Sequence, residues 1–144
     1  MQKTTLLAPV CVIALLFILA VPVQAAHPAF YFEKVCDGSI APNVCVMQAA
    51  DPPFEQLNGG TIEYLDHAFF QNPAGVIIES ATILVTASDG SQAPGHIRWV
   101  NTRGYFTLLA GTGSLENLHM TGVVNILSWE TMTFSLSGRY FTTP

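Results

Sequence analysis

Residues 104–140 read GYFTLLAGTGSLENLHMTGVVNILSWETMTFSLSGRY and contain three strand patterns. The last pattern, 129–140, places apolar side chains on one face and polar side chains on the other; the apolar positions are Met132, Phe134, Leu136 and Tyr140. A period of two predicts a half-buried antiparallel strand. Weaker alternation predicts a strand over 119–127, with a turn at Ser128, and an apolar run predicts one over 105–110.

The connection at 111–118, GTGSLENL, is rich in glycine. Two glycines one residue apart suit positive φ angles or tight packing, so a compact turn with one helical twist is predicted. A phosphate-binding loop is excluded because no Lys follows, GxGxxG is not matched, and the segment leads into a strand where such motifs lead into a helix.

The motif G-T-G-x-L-E-x-L-x-x-x-G-V-V, followed by a last strand that ends in Gly138-Arg139-Tyr140, resembles the C-terminal half of allene oxide cyclase and dirigent-type barrels. It departs from that pattern at Ala110 and Asn117, where those families usually have glycine. The resemblance implies an eight-stranded barrel, cofactor-free ring closure or coupling, and a trimer. The families' catalytic residues lie outside the matching part, so none is transferred.

The amino-terminal residues 1–25 are predicted to be a secretory signal peptide, followed by a barrel domain over 26–144. Lys3 supplies the positive charge, 6–21 the apolar core, and 23–25 a small-residue cleavage site. A retained membrane anchor is the alternative, but the apolar run is shorter than the roughly 20 residues that a span needs, and Pro9 interrupts it. The predicted location is secreted or periplasmic.

Charge is sparse and acidic. The chain has ten Asp and Glu, five Lys and Arg, and a formal net charge of −5. No basic patch is available to hold nucleic acid or an anionic membrane surface. We therefore expect no nucleic-acid partner, and no membrane partner after signal cleavage.

Cys36 and Cys45 flank a Gly and Pro turn. An even pair of cysteines in an exported chain predicts a disulfide, here one that closes the first hairpin. A metal site would need two further ligands at matching spacing, and neither the cysteines nor the four histidines have them. The sequence predicts neither a metal nor a cofactor.

The rest of the chain reads as a meander with few helix signals. Together with the three strands above, the predicted strands are 29–36, 44–48, 61–70, 76–86 and 95–100. Asp89-Gly90 predicts a type I′ hairpin turn. The predicted fold class is all-β, a single eight-stranded antiparallel barrel that closes its own edges and holds one small ligand.

Glu79 is the first catalytic candidate, because its neighbours at two-residue spacing are apolar: Ile77, Ala81, Ile83 and Val85. Burial raises the pKa of a carboxyl group, which suits a general acid or base. The alternative is that the strand faces the other way, with Ile78 and Leu84 inside and Glu79 in water.

The third predicted strand provides three further catalytic candidates, Glu63, Tyr64 and His67. One face carries Glu63 and His67, which would form a base with its orienting group, and the other carries Tyr64 and Asp66, a donor with a carboxylate. Each pair is separated by roughly 6.5 to 7 Å between Cα atoms in a strand. In the alternative, one pair lines the cavity mouth and the other is solvated.

Ligand-binding candidates are Arg98, Trp99 and Tyr105. Arg98 shares a strand face with His96; such a face is more often solvated than an anion site, but Arg98 is suited to a ligand carboxylate. Two functional hypotheses follow. The first is an exported barrel that binds a small apolar molecule in its cavity, with or without cofactor-free cyclase or isomerase chemistry. The second is a non-catalytic secreted binding or structural protein whose barrel is plugged by Phe and Met side chains.

Overall fold

The computed structural model describes residues 27–144, so the predicted signal peptide lies outside the described residues. It contains nine strands and two 3₁₀ turns, at Glu55–Leu57 and Gly113–Leu115. The strands are Ala29–Val35 (β1), Val44–Gln48 (β2), Thr61–Tyr64 (β3), Ala68–Gln71 (β4), Ile77–Thr86 (β5), Gln92–Val100 (β6), Arg103–Leu108 (β7), Leu118–Ser128 (β8) and Thr133–Thr142 (β9).

All strand neighbours are antiparallel, in the order β3-β2-β1-β9-β8-β7-β6-β5-β4, and a further pairing of β3 with β5 closes the sheet. β3 pairs with the second half of β5 and β4 with its first half, on the edge of β5 that does not face β6. The two short strands therefore occupy one position in the wall. The predicted all-β fold, a closed eight-stranded antiparallel barrel, is confirmed.

The barrel interior is filled by the inward faces of alternating strands. In β7, for example, Phe106 and Leu108 are buried while Tyr105 is exposed. Phe30, Phe32 and Phe106 form an aromatic cluster with ring centroids 5.8 to 6.1 Å apart. Edge-to-face and offset contacts at such distances add to the free energy gained from burying the rings.

One end of the barrel is closed by the two 3₁₀ turns, which place Leu57 and Leu115 in the core. The predicted compact turn after β7 is confirmed. Gly113 has a φ of +56°, and a Cβ at Gly111 would overlap the carbonyl oxygen of Gln92. Glycine therefore fits both positions without strain: it accepts the positive φ at 113 and needs no room for a Cβ at 111.

Two local predictions were wrong. The turn between β8 and β9 lies at 129–132 because β8 continues through Ser128, so its position was predicted too early. In the β5–β6 hairpin only Gly90 has positive φ, and Gly90 N–H donates to Ala87 O, whereas Ala87 N–H donates to Ser91 O. This is a type I turn followed by a glycine bulge, which also matches the twist of the strands.

The Cys36–Cys45 disulfide is present, as predicted, and links the residue that follows β1 to β2 with a sequence separation of 9. Replacing both cysteines with Ser is expected to lower the free energy of unfolding by about 2 to 3 kcal/mol, because a loop of this length is then no longer closed in the unfolded chain. Urea unfolding of both proteins measures the difference. Equal midpoints, or two free thiols in untreated wild-type protein, would contradict the expectation.

Candidate ligand-binding site at the mouth of the barrel

The end opposite the 3₁₀ turns, where β5 begins and β6 ends, is open, and we call it the mouth. Three adjoining clefts of about 150, 330 and 340 Å³ lie there, and Trp99 lines all three. Their remaining walls are largely apolar and include Ile97, Ile126, Trp129, Met132 and Phe134. The mouth is therefore an apolar concavity at the end of a packed barrel.

A break in the wall shapes the mouth. The single strand predicted over 61–70 is interrupted between β3 and β4, where Leu65 N–H donates to Thr82 O at 3.0 Å and the Asp66 carboxylate accepts from Thr82 N–H at 2.6 Å. That hydrogen bond also holds the pKa of Asp66 below its usual value. Because the side chain of Asp66 bonds to the backbone of β5, the strand alternation is reset at this point.

The break changes the partners of the third-strand candidates. His67 Nε2 lies 2.6 Å from Glu79 Oε1. Glu63 instead faces the outside, where Asn43 Nδ2 donates to it at 3.5 Å. Neither the Glu63–His67 pair nor the Tyr64–Asp66 pair of the sequence analysis is formed.

Glu79 lies on the inward face of β5, in line with the buried Ala81, Ile83 and Val85, as the first of the two alternatives had it. It is not enclosed, however, because its position is at the rim of the mouth. The side chains of His67 and Glu79 are 55% and 41% exposed. The pair is open to solvent and to any molecule that enters the smallest cleft, which both residues line.

The floor of the mouth contains a buried lysine. Lys34 lies on the inward face of β1 with Phe30 and Phe32 and is 2% exposed. Its Nζ donates a hydrogen bond to the Tyr64 hydroxyl and lies 4.8 and 5.1 Å from the ring centroids of Tyr64 and Phe134. Across residues 27–144 the one ion pair is His67–Glu79, so no carboxylate neutralises this amine.

Burial acts on both members of the Lys34–Tyr64 pair. It lowers the pKa of the Lys34 amine to about 7, since the charged form is desolvated. It raises the pKa of the Tyr64 hydroxyl, to which the negative charge of Glu79 also contributes. Near neutral pH the amine is therefore divided between its charged and neutral forms, while the phenol keeps its proton.

Of the predicted ligand-binding residues, Trp99 lies at the centre of the mouth, whereas Arg98 and Tyr105 lie on the outer face of the barrel. Sequence reasoning missed Lys34. The signal was its spacing of two and four residues from Phe32 and Phe30, which places it on the apolar face of the first strand.

Within residues 27–144 no three His, Cys, Asp or Glu side chains converge as metal ligands would. The same residues include no helix with the length and apolar character that a membrane crossing requires. The mouth therefore offers an amine, a phenol, an imidazole and a carboxylate around an apolar hollow.

The fold and the mouth define the class of this protein: a small closed antiparallel β-barrel with a cleft at one end. Compared with protein-family models, with curated proteins and with solved structures, the chain has no match. The resemblance to allene oxide cyclase and dirigent-type proteins accordingly rests on the motif at 111–124 and on the eight-stranded architecture.

Proposed function

We propose that this protein is an exported barrel that binds a small, mostly apolar molecule at its mouth. The observation that carries the proposal is the pairing of Lys34 and Tyr64 at the floor of a cleft with apolar walls. Small-molecule sites are concave and mainly apolar, with a few polar groups that fix orientation. The mouth has these properties.

The two larger clefts, of about 330 and 340 Å³, suit a ligand of modest size. Trp99, Trp129 and Phe134 offer flat apolar faces to its body. Lys34 and Tyr64 offer donors to one acceptor or anionic group. The ligand class is therefore an aromatic or aliphatic molecule with a single polar end.

The packed interior limits where such a ligand can bind. Phe32, Met47, Phe106 and Met120 are all buried and fill the barrel below the mouth. The body of the barrel is thus plugged, as in the second hypothesis, while its mouth is open, as in the first. Binding is confined to the mouth.

Export is supported by the disulfide, because such bonds persist in oxidising compartments. The predicted signal peptide and the resemblance to allene oxide cyclase and dirigent-type barrels point in the same direction. By that resemblance the assembly is a trimer, which native mass spectrometry of the purified protein would show directly.

A second candidate function is cofactor-free cyclase or isomerase chemistry at the same place. The observation that favours it is that two hydrogen-bonded pairs of ionisable side chains, His67–Glu79 and Lys34–Tyr64, border adjoining clefts. A base that removes a proton and an acid that returns one elsewhere on the substrate suffice for an isomerisation. Confinement of a flexible substrate would supply the orientation.

Binding can be tested with the protein's own fluorescence, because both tryptophans of the chain, Trp99 and Trp129, line the mouth. Titration with 8-anilinonaphthalene-1-sulfonate, an aromatic anion, is expected to quench this fluorescence saturably at one molecule per chain. A linear change without saturation in folded protein would overturn the proposal for this ligand class. Native mass spectrometry would identify a molecule that is carried through purification.

Glu79→Gln is expected to tighten binding of the anionic probe by roughly three- to tenfold, because a negative charge at the rim is removed. The melting temperature is expected to stay within about 2 °C, since the side chain is partly exposed. Glu116→Gln, a neutralisation at the closed end of the barrel, is the matched control and is expected to change neither quantity. Equal affinities of both variants and the wild type would place Glu79 outside the binding site.

A further inference from the structure

We propose that Lys34 is a covalent attachment site for a carbonyl compound, its amine condensing with an aldehyde or ketone in the mouth to form an imine. The inference deepens the proposed function and rests on it, because the carbonyl compound must enter the same cleft.

Lys34 lines the cleft of about 340 Å³ together with Tyr64, His67, Trp99 and Phe134. Its amine therefore borders a hollow that can hold a small molecule, although the side chain is almost wholly shielded from bulk water. A buried amine at the edge of a cleft is accessible to ligands that enter the cleft and to few other reagents.

The surroundings leave the amine available as a nucleophile. The titratable groups that face it are Tyr64 from β3 and His67 from the β3–β4 break, with Glu79 of β5 beyond His67. β9 contributes the uncharged Phe134, and β2 contributes Cys45, which is held in the disulfide. A lysine paired with a carboxylate would be held protonated, but in residues 27–144 no carboxylate lies within 4.0 Å of this one.

Each step of the condensation balances with groups that are present. The lone pair of Lys34 Nζ attacks the carbonyl carbon, and the carbonyl oxygen takes a proton to give a carbinolamine. Loss of that oxygen as water, with the second amine proton, leaves the C=N bond. No oxidant or reductant is consumed. The Tyr64 hydroxyl, hydrogen-bonded to Nζ, is placed to give and recover the transferred proton.

The walls select the carbonyl compound. Trp99, Phe134 and Met132 favour an aromatic or aliphatic aldehyde or ketone. Among residues 27–144 no arginine lines these clefts to hold a second charged group. The substrate class is therefore a small apolar aldehyde or ketone with one reactive carbonyl.

The chain is suited to a test because it has two lysines, Lys3 and Lys34, and the first lies in the predicted signal peptide. We would incubate the protein with benzaldehyde and sodium cyanoborohydride, which reduces an imine to a stable secondary amine. Peptide mass spectrometry, which separates this site from the reactive α-amino group of the chain, is expected to find one benzyl group on Lys34. At pH 7 the labelling rate is expected to exceed that of N-acetyl-lysine by at least about a hundredfold, because far more of the amine is neutral.

Four comparisons test the assignment of the label to Lys34. Labelling at Lys34 is expected to rise with pH around 7, whereas an ordinary lysine responds above pH 9. Lys34→Arg is expected to abolish the label, and benzyl alcohol, which occupies the cleft without reacting, is expected to reduce it severalfold in the wild type. Tyr64→Phe is expected to slow labelling about tenfold or more even at saturating benzaldehyde, where weaker binding no longer limits the rate, as a proton-transfer role requires.

The failures of the two proposals are distinguishable. Saturable quenching of tryptophan fluorescence by benzaldehyde without a label on Lys34 would overturn the imine and leave the binding site standing. The absence of both quenching and label would overturn both. A third outcome is that Lys34 is labelled at the rate of free lysine and that benzyl alcohol does not reduce the labelling. The amine would then react outside the cleft, and this too would overturn the inference.

Discussion

Lys34→Met is expected to stabilise the protein at pH 6 by about 2 to 4 kcal/mol. In the folded chain the pKa of Lys34 is lowered from 10.5 to about 7, so protonation at pH 6 works against folding. Each unit of displacement costs about 1.4 kcal/mol. The Tyr64 hydroxyl loses its partner in the variant, which offsets about 1 to 3 kcal/mol of the gain.

The pH dependence of this effect has a defined sign. Between pH 7 and 10.5 the unfolded chain binds a proton that the folded chain does not, so wild-type stability rises with pH in that window by up to about 1.4 kcal/mol per unit. The advantage of Lys34→Met therefore shrinks as the pH rises from 7 to 9. Urea unfolding of both proteins at pH 6, 7, 8 and 9 measures the difference between their free energies of unfolding. The other titrating groups are the same in both proteins, so their contributions cancel in this difference.

Lys34→Arg is the control for this first expectation, because a guanidinium stays charged in the same place. It is expected to be less stable than the wild type at every pH tested. A difference between Lys34→Met and wild type that is independent of pH would show that Lys34 has an ordinary pKa, contrary to its burial in the structure.

Phe106→Ala is expected to lower the free energy of unfolding by about 3 to 5 kcal/mol, because it removes a fully buried ring and leaves a cavity. The ring lies against Phe30 and Phe32 at the centre of the barrel. Its neighbour in β7 supplies a matched control: Tyr105 is an aromatic residue on the opposite face and is 44% exposed. Tyr105→Ala is expected to cost less than about 1 kcal/mol.

Denaturant unfolding of the two variants, with its midpoints and slopes, gives the loss in free energy of unfolding that each substitution causes. A larger loss for Tyr105→Ala than for Phe106→Ala would mean that β7 presents the other face to the core. Since a shift of one residue exchanges the faces of a strand, that result would overturn the barrel register as a whole.

The barrel could be predicted from the sequence because most of its strands have one buried and one solvated face. β2 was predicted with its observed bounds, and β1 and β5 to within one residue at each end. Turns with strong backbone requirements, such as that around Gly113, were also readable. Local patterns are informative wherever burial and the strand period coincide.

The break between β3 and β4 could not be read in this way. Residues 61–70 are a continuous run that suits a strand, and the interruption depends on a hydrogen bond from the backbone of Thr82 to Asp66, sixteen residues away in the chain. Because of that contact Asp66 does not pair with Tyr64, and His67 pairs with Glu79 instead of Glu63. The individual residues of the mouth were therefore easier to nominate than the pairs that they form.

Lys34 was overlooked for a different reason. Lysine is seldom fully buried, so a lysine in a strand is read as solvated. Its spacing from two phenylalanines was the contrary signal, and the surrounding rings of Tyr64 and Phe134, distant in sequence, explain how the barrel accommodates it.

Because of the interruption at 65–67, the residues that would select a ligand differ from those that hold the barrel together. These three residues are exposed, stand outside the ladder and touch β5 through a few hydrogen bonds, yet His67 lines clefts where a guest would sit. Exchanging Leu65 and His67, with Asp66 kept for its hydrogen bond from Thr82 N–H, would alter which ligands bind at little cost in folding free energy. A library randomised at these two positions alone would thus be a compact starting point for tailored receptors.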